Sequence, residues 1–433
     1  MNEKLKNSPG LKLVFILGLI LLLLIPSVMI QGLITERETR RNEAVNEVSS
    51  KWGRNQTVTG PVLTVPYETI SNLTGKIFRS VNYAHFLPEN LKIMGDVTGE
   101  VRKRGIYEAA LYNSKLILSG NFTRPEFGDL GITAENINWD DTVLTLGISD
   151  LKGIKGNINI KLGNKELDVN PGVKVKDFTF SGITSSVGKD VETMESLPFR
   201  IEIDLSGSNE LRFIPVGKTT EVNLKSNWIN PCFCGEYLPL KREIGDSGFS
   251  SEWKISHLNR NFPQKFTGNS FDVNTASFGV DFLLPVDQYQ KTMRTSKYDF
   301  LFIGLTFLTF FLIEVLNKKH IHPFQYIMIG FSLVIFYLLL LSISEQINFT
   351  FAYFAGALGS VATISTYSSA VLRERKLVMT VAAVLLVLYG FLFIIIQMQD
   401  FALLFGSLLL FAILSSVMYL TRKIDWFELG KQQ

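Results

Sequence analysis

One apolar segment near the N-terminus and five more crowded into the last third constrain this chain more than anything else in it. Each approaches the ~20 apolar residues needed to cross ~30 Å of hydrocarbon. The first covers Leu13 to Ile30 within a predicted span 13–33, and the others run Tyr298–Leu316, Phe324–Ile343, Phe349–Val371, Leu377–Met398 and Phe401–Leu420. Residues 34–297 lie between spans one and two, and residues 1–12 and 421–433 flank the whole. The expected fold is an α+β membrane protein: six transmembrane helices plus a large antiparallel, β-rich, sandwich-like extracytoplasmic domain inserted between helices one and two.

The charges predict which side each loop faces. Lys4, Lys6 and Lys12 precede the first span, whose end lacks a small-x-small cleavage site, so it reads as an uncleaved signal anchor. Lys318 and Lys319 lie in one loop, Arg373, Arg375 and Lys376 in another, and Arg422 and Lys423 follow the last span. The alternate loops, Ser344 to Asn348 and Gln397 to Asp400, carry no Lys or Arg. The positive-inside rule then puts both termini in the cytoplasm and the large domain outside.

Within 34–297 the apolar period is two. In Phe199-Arg200-Ile201-Glu202-Ile203-Asp204-Leu205-Ser206 every odd position is apolar, the pattern of a half-buried strand. Similar runs occur at Lys76–Phe86, Leu91–Val101, Lys115–Phe122, Thr142–Ile148, Val173–Phe180, Glu210–Val216, Glu221–Ser226 and Ser277–Leu284. From Asn227 to Phe262 alternation gives way to aromatics and turn formers, including Trp228, Tyr237 and Trp253. This segment reads first as a small core capping the sheets, and second as an aromatic binding loop.

Composition excludes more than it assigns. A net charge of +3 with no basic stripe implies no nucleic-acid role. Cys232 and Cys234 are the sole cysteines, so no disulfide framework holds the large domain; a local disulfide or half metal site is the lesser reading beside two incidental thiols. No H-E-x-x-H, G-x-S-x-G or Walker A pattern occurs, so no catalytic residue, cofactor or metal is assigned and an enzyme is not expected. His85 and His257 would bear on that only if brought together with an acid.

Six residues remain as functional candidates: Glu314, Glu345, His322, Trp228, Tyr237 and Trp253. Glu314 is an acid within a span, and ionisable groups at that depth are functional by default. It also stands four residues before Lys318, the favourable helical order for a snorkelling pair. Glu345 sits at a span boundary, where a helix-end carboxylate is the plainer reading. His322 pairs with His320 in a basic loop, short of the three or four ligands of a zinc site. Ala352, Gly356 and Ser360, at four-residue spacing, predict a packed helix face.

The chain resembles the CreD family of bacterial inner-membrane proteins nearly end to end. The likeness is carried by Gly60-Pro61 with Val65-Pro66, His85-Phe86-x-Pro88-Glu89, Gly105-Ile106-Tyr107, Ser226-Asn227-Trp228, Leu238-Pro239 and Ser247-Gly248-Phe249. It continues in Asp287-Gln288-Tyr289-Gln290, His322-Pro323-x-Gln325-Tyr326, Phe336 to Leu340, Ser344-Glu345 and Thr421-Arg422-x-Ile424-Asp425-Trp426. Cys232 and Cys234 depart from the family pattern. The resemblance implies a role in cell-envelope integrity and stress, with colicin tolerance and altered β-lactam sensitivity, but no reaction. The expected mechanism is noncovalent: the outward domain binds an envelope protein, glycan or lipid, and the bilayer-embedded bundle anchors it. The rivals are a transporter or lipid-handling protein, and an insertase-like membrane chaperone, which shares only the layout of a β domain after the first of six spans.

Overall fold

A computed structural model describes residues 9–73, 76–193, 195–284, 288–398 and 401–422. Lys423, Asp287, the Gln399-Asp400 loop and most of both termini lie outside the described residues. The chain divides into two compact units, Met1–Arg41 with Val286–Gln433, and Asn42–Pro285.

The first unit is helical. Helix α1 (Pro9–Trp52) continues well past the predicted span. After the β domain come α2 (Gln288–Ser296), α3 (Asp299–Leu316), α4 (Pro323–Ser344), α5 (Phe349–Leu372), α6 (Arg375–Gln397) and α7 (Ala402–Thr421). Six of the described helices are long and apolar enough to cross a membrane. The short α2 is the exception: its composition is polar, but Tyr289, Thr292, Thr295 and Ser296 are buried.

Side-chain size decides where these helices meet. Ile16, Leu19, Ile20 and Leu23 of α1 form a buried stripe at helical spacing. Leu23 approaches because Gly330 of α4 has no side chain; a Cβ there would stand 2.2 Å from its Cδ1. Ala352, Gly356 and Ser360 are all buried on α5, and Gly356 leaves room for the Phe336 ring of α4. The Thr363 hydroxyl donates to the Gly359 carbonyl of its own helix at 2.8 Å. No described residue of helix α7 is buried; its residues are exposed or half-buried.

The second unit holds two sheets. Its strands are β1 (Gln56–Leu73), β2 (Lys76–Phe86), β3 (Asn90–Arg104), β4 (Tyr107–Thr123), β5 (Val143–Ile148), β6 (Asn159–Leu162), β7 (Lys165–Leu167), β8 (Asn170–Pro171) and β9 (Gly182–Ser186). They continue as β10 (Ser196–Ser208), β11 (Glu210–Ile214), β12 (Thr219–Ser226), β13 (Pro231–Gly235), β14 (Lys241–Gly245), β15 (Gly248–Ser256), β16 (Lys265–Thr267) and β17 (Phe278–Phe282). One sheet runs β13-β17-β11-β1-β5-β9-β8, with β2 on β1 and β16 on β2; the other runs β14-β15-β12-β3-β4-β10-β6-β7. Pairing is antiparallel except for β1 with β11 and β3 with β12.

Alternation explains the shared core. On β10, Leu197, Phe199, Ile201, Ile203 and Leu205 point inward while the residues between them face out. They join Val58, Leu63 and Leu146 of the other sheet in one continuous cluster.

Two expectations are corrected here. Val173–Phe180 is not a strand: Val175 and Phe178 are both buried, a three-residue spacing no strand allows, and the segment between them is irregular. Cys232 and Cys234 are not incidental thiols but a disulfide. Residues two apart on β13 share a face, and their Cα atoms stand 5.9 Å apart, within the bonding range.

Candidate functional site

The last turn of α3 carries Glu314 inward, where it is only 5% exposed. Its partner is Lys12 of α1, with which it forms an ion pair. The backbone N–H of Ile321 and the hydroxyl of Tyr326 each donate to it at 3.2 Å. The expected Lys318 partnership is corrected: α3 ends at Leu316, and Lys318 adopts φ 51°, so helical i, i+4 geometry is lost before it. Glu314 thus has three donors, the arrangement a buried carboxylate needs.

Around this carboxylate lies a cleft of about 480 Å³, bordered by Lys12, Glu314, His320, His322 and Tyr326 and by apolar Leu11, Phe15 and Ile16. His322 has a structural task there. It caps α4, accepting from Phe324 N–H through Nδ1 at 3.2 Å while Gln325 accepts from its own N–H at 2.8 Å. The lining thus combines charged and polar groups with apolar side chains.

Glu345 follows α4 and accepts a hydrogen bond from the Tyr289 hydroxyl of α2 at 2.9 Å. The two candidate acids are therefore separate sites. Sequence reasoning missed a third acid, Asp299, which is 4% exposed at the start of α3 and accepts from the Phe300 N–H. Its position at a helix N-terminus hid it among the boundary charges.

The aromatic candidates belong to the core. Trp253 is fully buried and donates from Nε1 to the Tyr237 carbonyl at 3.2 Å; Trp228 donates to the Leu283 carbonyl at 3.1 Å. The Tyr237 hydroxyl donates to the Asn259 carbonyl at 2.8 Å, and its ring meets Phe278 edge-on. Trp253 packs on Phe233 and Phe278. With faces packed and N–H groups bonded, neither indole is open to a ligand.

His85 is fully buried between Thr64, whose hydroxyl is 3.0 Å from Nδ1, and Asp177, 3.0 Å from Nε2. Phe178 and Phe266 cover its ring. Burial lowers its pKa, against the raising influence of Asp177. Its partners do not include His257. Thr64 is itself fully buried, and the trio ties the 173–180 segment to β1 and β2. Arg260, which no motif flagged, is a buried cation held by the carbonyls of Phe262, Val216 and Pro263 and by the Gln264 side chain. Burial pushes it down to about 10, still charged at neutral pH.

One further feature was invisible in the sequence because it depends on strand register. Lys115 of β4 stands directly across from Asp96 of β3 on one side and Asp204 of β10 on the other. Two residues along the same face, Asn113 is flanked by Thr98 and Ser206. The 151–155 segment walls this patch, pinned by the Ile154–Leu205 bridge and by Lys155 N–H donating to the Asp204 carbonyl at 2.9 Å. The result is a cleft of about 340 Å³. Opposite charges directly across antiparallel strands ordinarily pair. Here Asp96, Lys115 and Asp204 form no ion pair with another described residue, and Lys155 turns its amine over the Trp52 ring at 5.0 Å.

Comparison with known proteins matches the architecture. The family model for "Inner membrane protein CreD" matches residues 8–427. The chain belongs to the CreD family. A CreD protein, the inner membrane protein CreD of Escherichia coli (strain K12), is 33% identical over 429 residues, covering 98% of this chain and 95% of that one. As a CreD-family member with six candidate spans, the chain is a multi-pass inner-membrane protein.

Proposed function

We propose that this CreD-family protein supports cell-envelope integrity by noncovalent binding. In this reading the β domain faces the periplasm and engages an envelope component, both termini are cytoplasmic, and the bundle anchors the domain. The alternation of basic and uncharged loops supports the orientation. The cleft over Asp96, Lys115 and Asp204 carries the binding role, because charges that no neighbour satisfies remain available to a ligand. The test is complementation of a deletion strain with Asp96→Asn, Lys115→Gln and Asp204→Asn combined. The variant is expected to reach the membrane at normal abundance yet fail to restore colicin tolerance and β-lactam sensitivity; full restoration would refute the role.

The amphiphilic cleft at Glu314 favours a second reading, a lipid-handling or transport protein. Glu314→Gln with Glu345→Gln should then abolish lipid or solute movement in proteoliposomes. Unchanged movement would exclude it.

A further inference from the structure

We propose that the cleft on the eight-stranded sheet binds a neutral, polyhydroxylated ligand: a short segment of an envelope glycan. The proposal rests on the reading that the β domain binds something, and supplies the chemical class. Its size comes first. At about 340 Å³ the cleft falls at the small end of ligand sites, roughly 300–1,000 Å³, which suits about one or two sugar rings.

Charge narrows the class. Asp96 and Asp204 contribute two negative groups, and Lys115 and Lys155 two positive ones. The cleft therefore has no net sign with which to select an anionic or a cationic ligand. What it offers is an alternating grid. Carboxylates accept from hydroxyls, ammonium groups donate to them, and Thr98 and Asn113 do either. A ring bearing hydroxyls on neighbouring carbons presents donors and acceptors at comparable intervals to strands spaced ~4.8 Å apart. Hydrogen bonds with one charged partner are the stronger kind, so such a ligand satisfies Asp96, Lys115 and Asp204 without itself being charged.

Topology argues against a peptide. Peptides bind sheets by adding to a free edge, with apolar pockets for alternate side chains. β3 and β4 have a strand on each side, the outer side of β10 at Asp204 and Leu205 is taken by the 151–155 segment, and Leu205 is the single aliphatic residue among those bordering the cleft. The site lies on a face, not an edge. Its polar floor is also held in place from below: Ser114 and Leu205, on the same strands, are buried, and the Ser114 hydroxyl donates to the Leu205 carbonyl at 2.7 Å.

The experiment uses the full-length protein in lipid nanodiscs and saturation-transfer NMR, with chitotetraose and maltotetraose as neutral probes and a sulfated dextran fragment as the anionic control. Wild-type protein is expected to transfer saturation to the ring protons of at least one neutral probe and not to the control. Asp96→Asn with Asp204→Asn should weaken that binding by about tenfold or more, since each lost charge-assisted bond is worth over 1 kcal/mol. Should that double variant fail to fold, Lys115→Met, judged by an unchanged melting curve, serves in its place with the same expectation. Absence of transfer to both neutral probes, preference for the sulfated control, or undiminished binding by a folded variant would overturn the glycan assignment. If the glycans fail but the triple variant still loses complementation, the ligand class is wrong and the binding role stands. If complementation is intact, the binding role itself falls.

Discussion

Lys12 and Glu314, separated by 302 residues, form an ion pair that joins α1 to the end of α3. Because Glu314 is 5% exposed and Lys12 29%, removing the acid strands a half-buried ammonium along with the Ile321 and Tyr326 donors. Glu314→Ala is expected to lower stability by about 1–3 kcal/mol, less than the 3–5 typical of a fully buried pair. Thermal unfolding in detergent, with Lys12→Met and the double variant, measures it. The double variant should cost less than the sum of the singles, and strict additivity would show that the pair contributes nothing.

The buried His85 predicts a pH response of the β domain. Its folded pKa is depressed below the ordinary 6.5 by burial, so between the two values the unfolded chain holds a proton that the folded one lacks. The stability that His85 contributes is therefore complete above about pH 6.5 and is lost as pH falls through the folded value. Denaturant unfolding at pH 7.5 and pH 5 should show wild-type protein losing more stability than His85→Gln over that interval. Equal losses would remove His85 as the source.

Gly99 lies under the Trp228 ring, where a Cβ would meet Cε3 at 2.5 Å. Its N–H donates to the Asn227 side chain at 2.7 Å and its carbonyl accepts from that amide at 3.2 Å, fixing the loop that positions the indole. Gly99→Val must displace Trp228 and should cost about 1–3 kcal/mol, the range for overpacking. A tryptophan emission shift alongside the lowered melting temperature would distinguish this from a general loss of strand stability.

The Cys232–Cys234 disulfide encloses a single residue, so it removes little freedom from the unfolded chain. Replacing both with serine should change the melting temperature of the full chain by no more than a few degrees, about 1 kcal/mol or less. Mass spectrometry after alkylation without reductant should find both thiols blocked; two alkylated cysteines would contradict the pairing.

Much of the architecture was legible because hydropathy and alternation act locally. The run from Phe199 to Ser206 reveals a half-buried strand with no knowledge of its neighbours. Asn227 to Phe262 likewise showed its aromatics, but Trp228 and Trp253 became core residues only through Leu283 and Phe278, which the local pattern does not name. The candidate sites were less legible for the same reason. Nothing near Glu314 points to Lys12, whereas Lys318 stood at the spacing helical reasoning favours. The sheet cleft needs Asp96, Lys115 and Asp204 in register across three strands, a relation that exists only after pairing. Val173 to Phe180 misled because its valines alternate up to the point where Phe178 turns inward.

The two parallel pairings carry a consequence for how the β domain is made. β1 at Gln56 aligns with β11 at Leu211, and β3 at Asn90 with β12 at Thr219, so strands from the start of the domain wait for partners from its second half. β17, ending at Phe282, then covers the outer side of β11. Pairings this distant in sequence make folding slow, because loop closure precedes the contacts that reward it. During synthesis the early strands remain as open edges, the state most exposed to aggregation and proteolysis. A chain truncated before Phe278 lacks β17 and leaves the outer side of β11 an open edge.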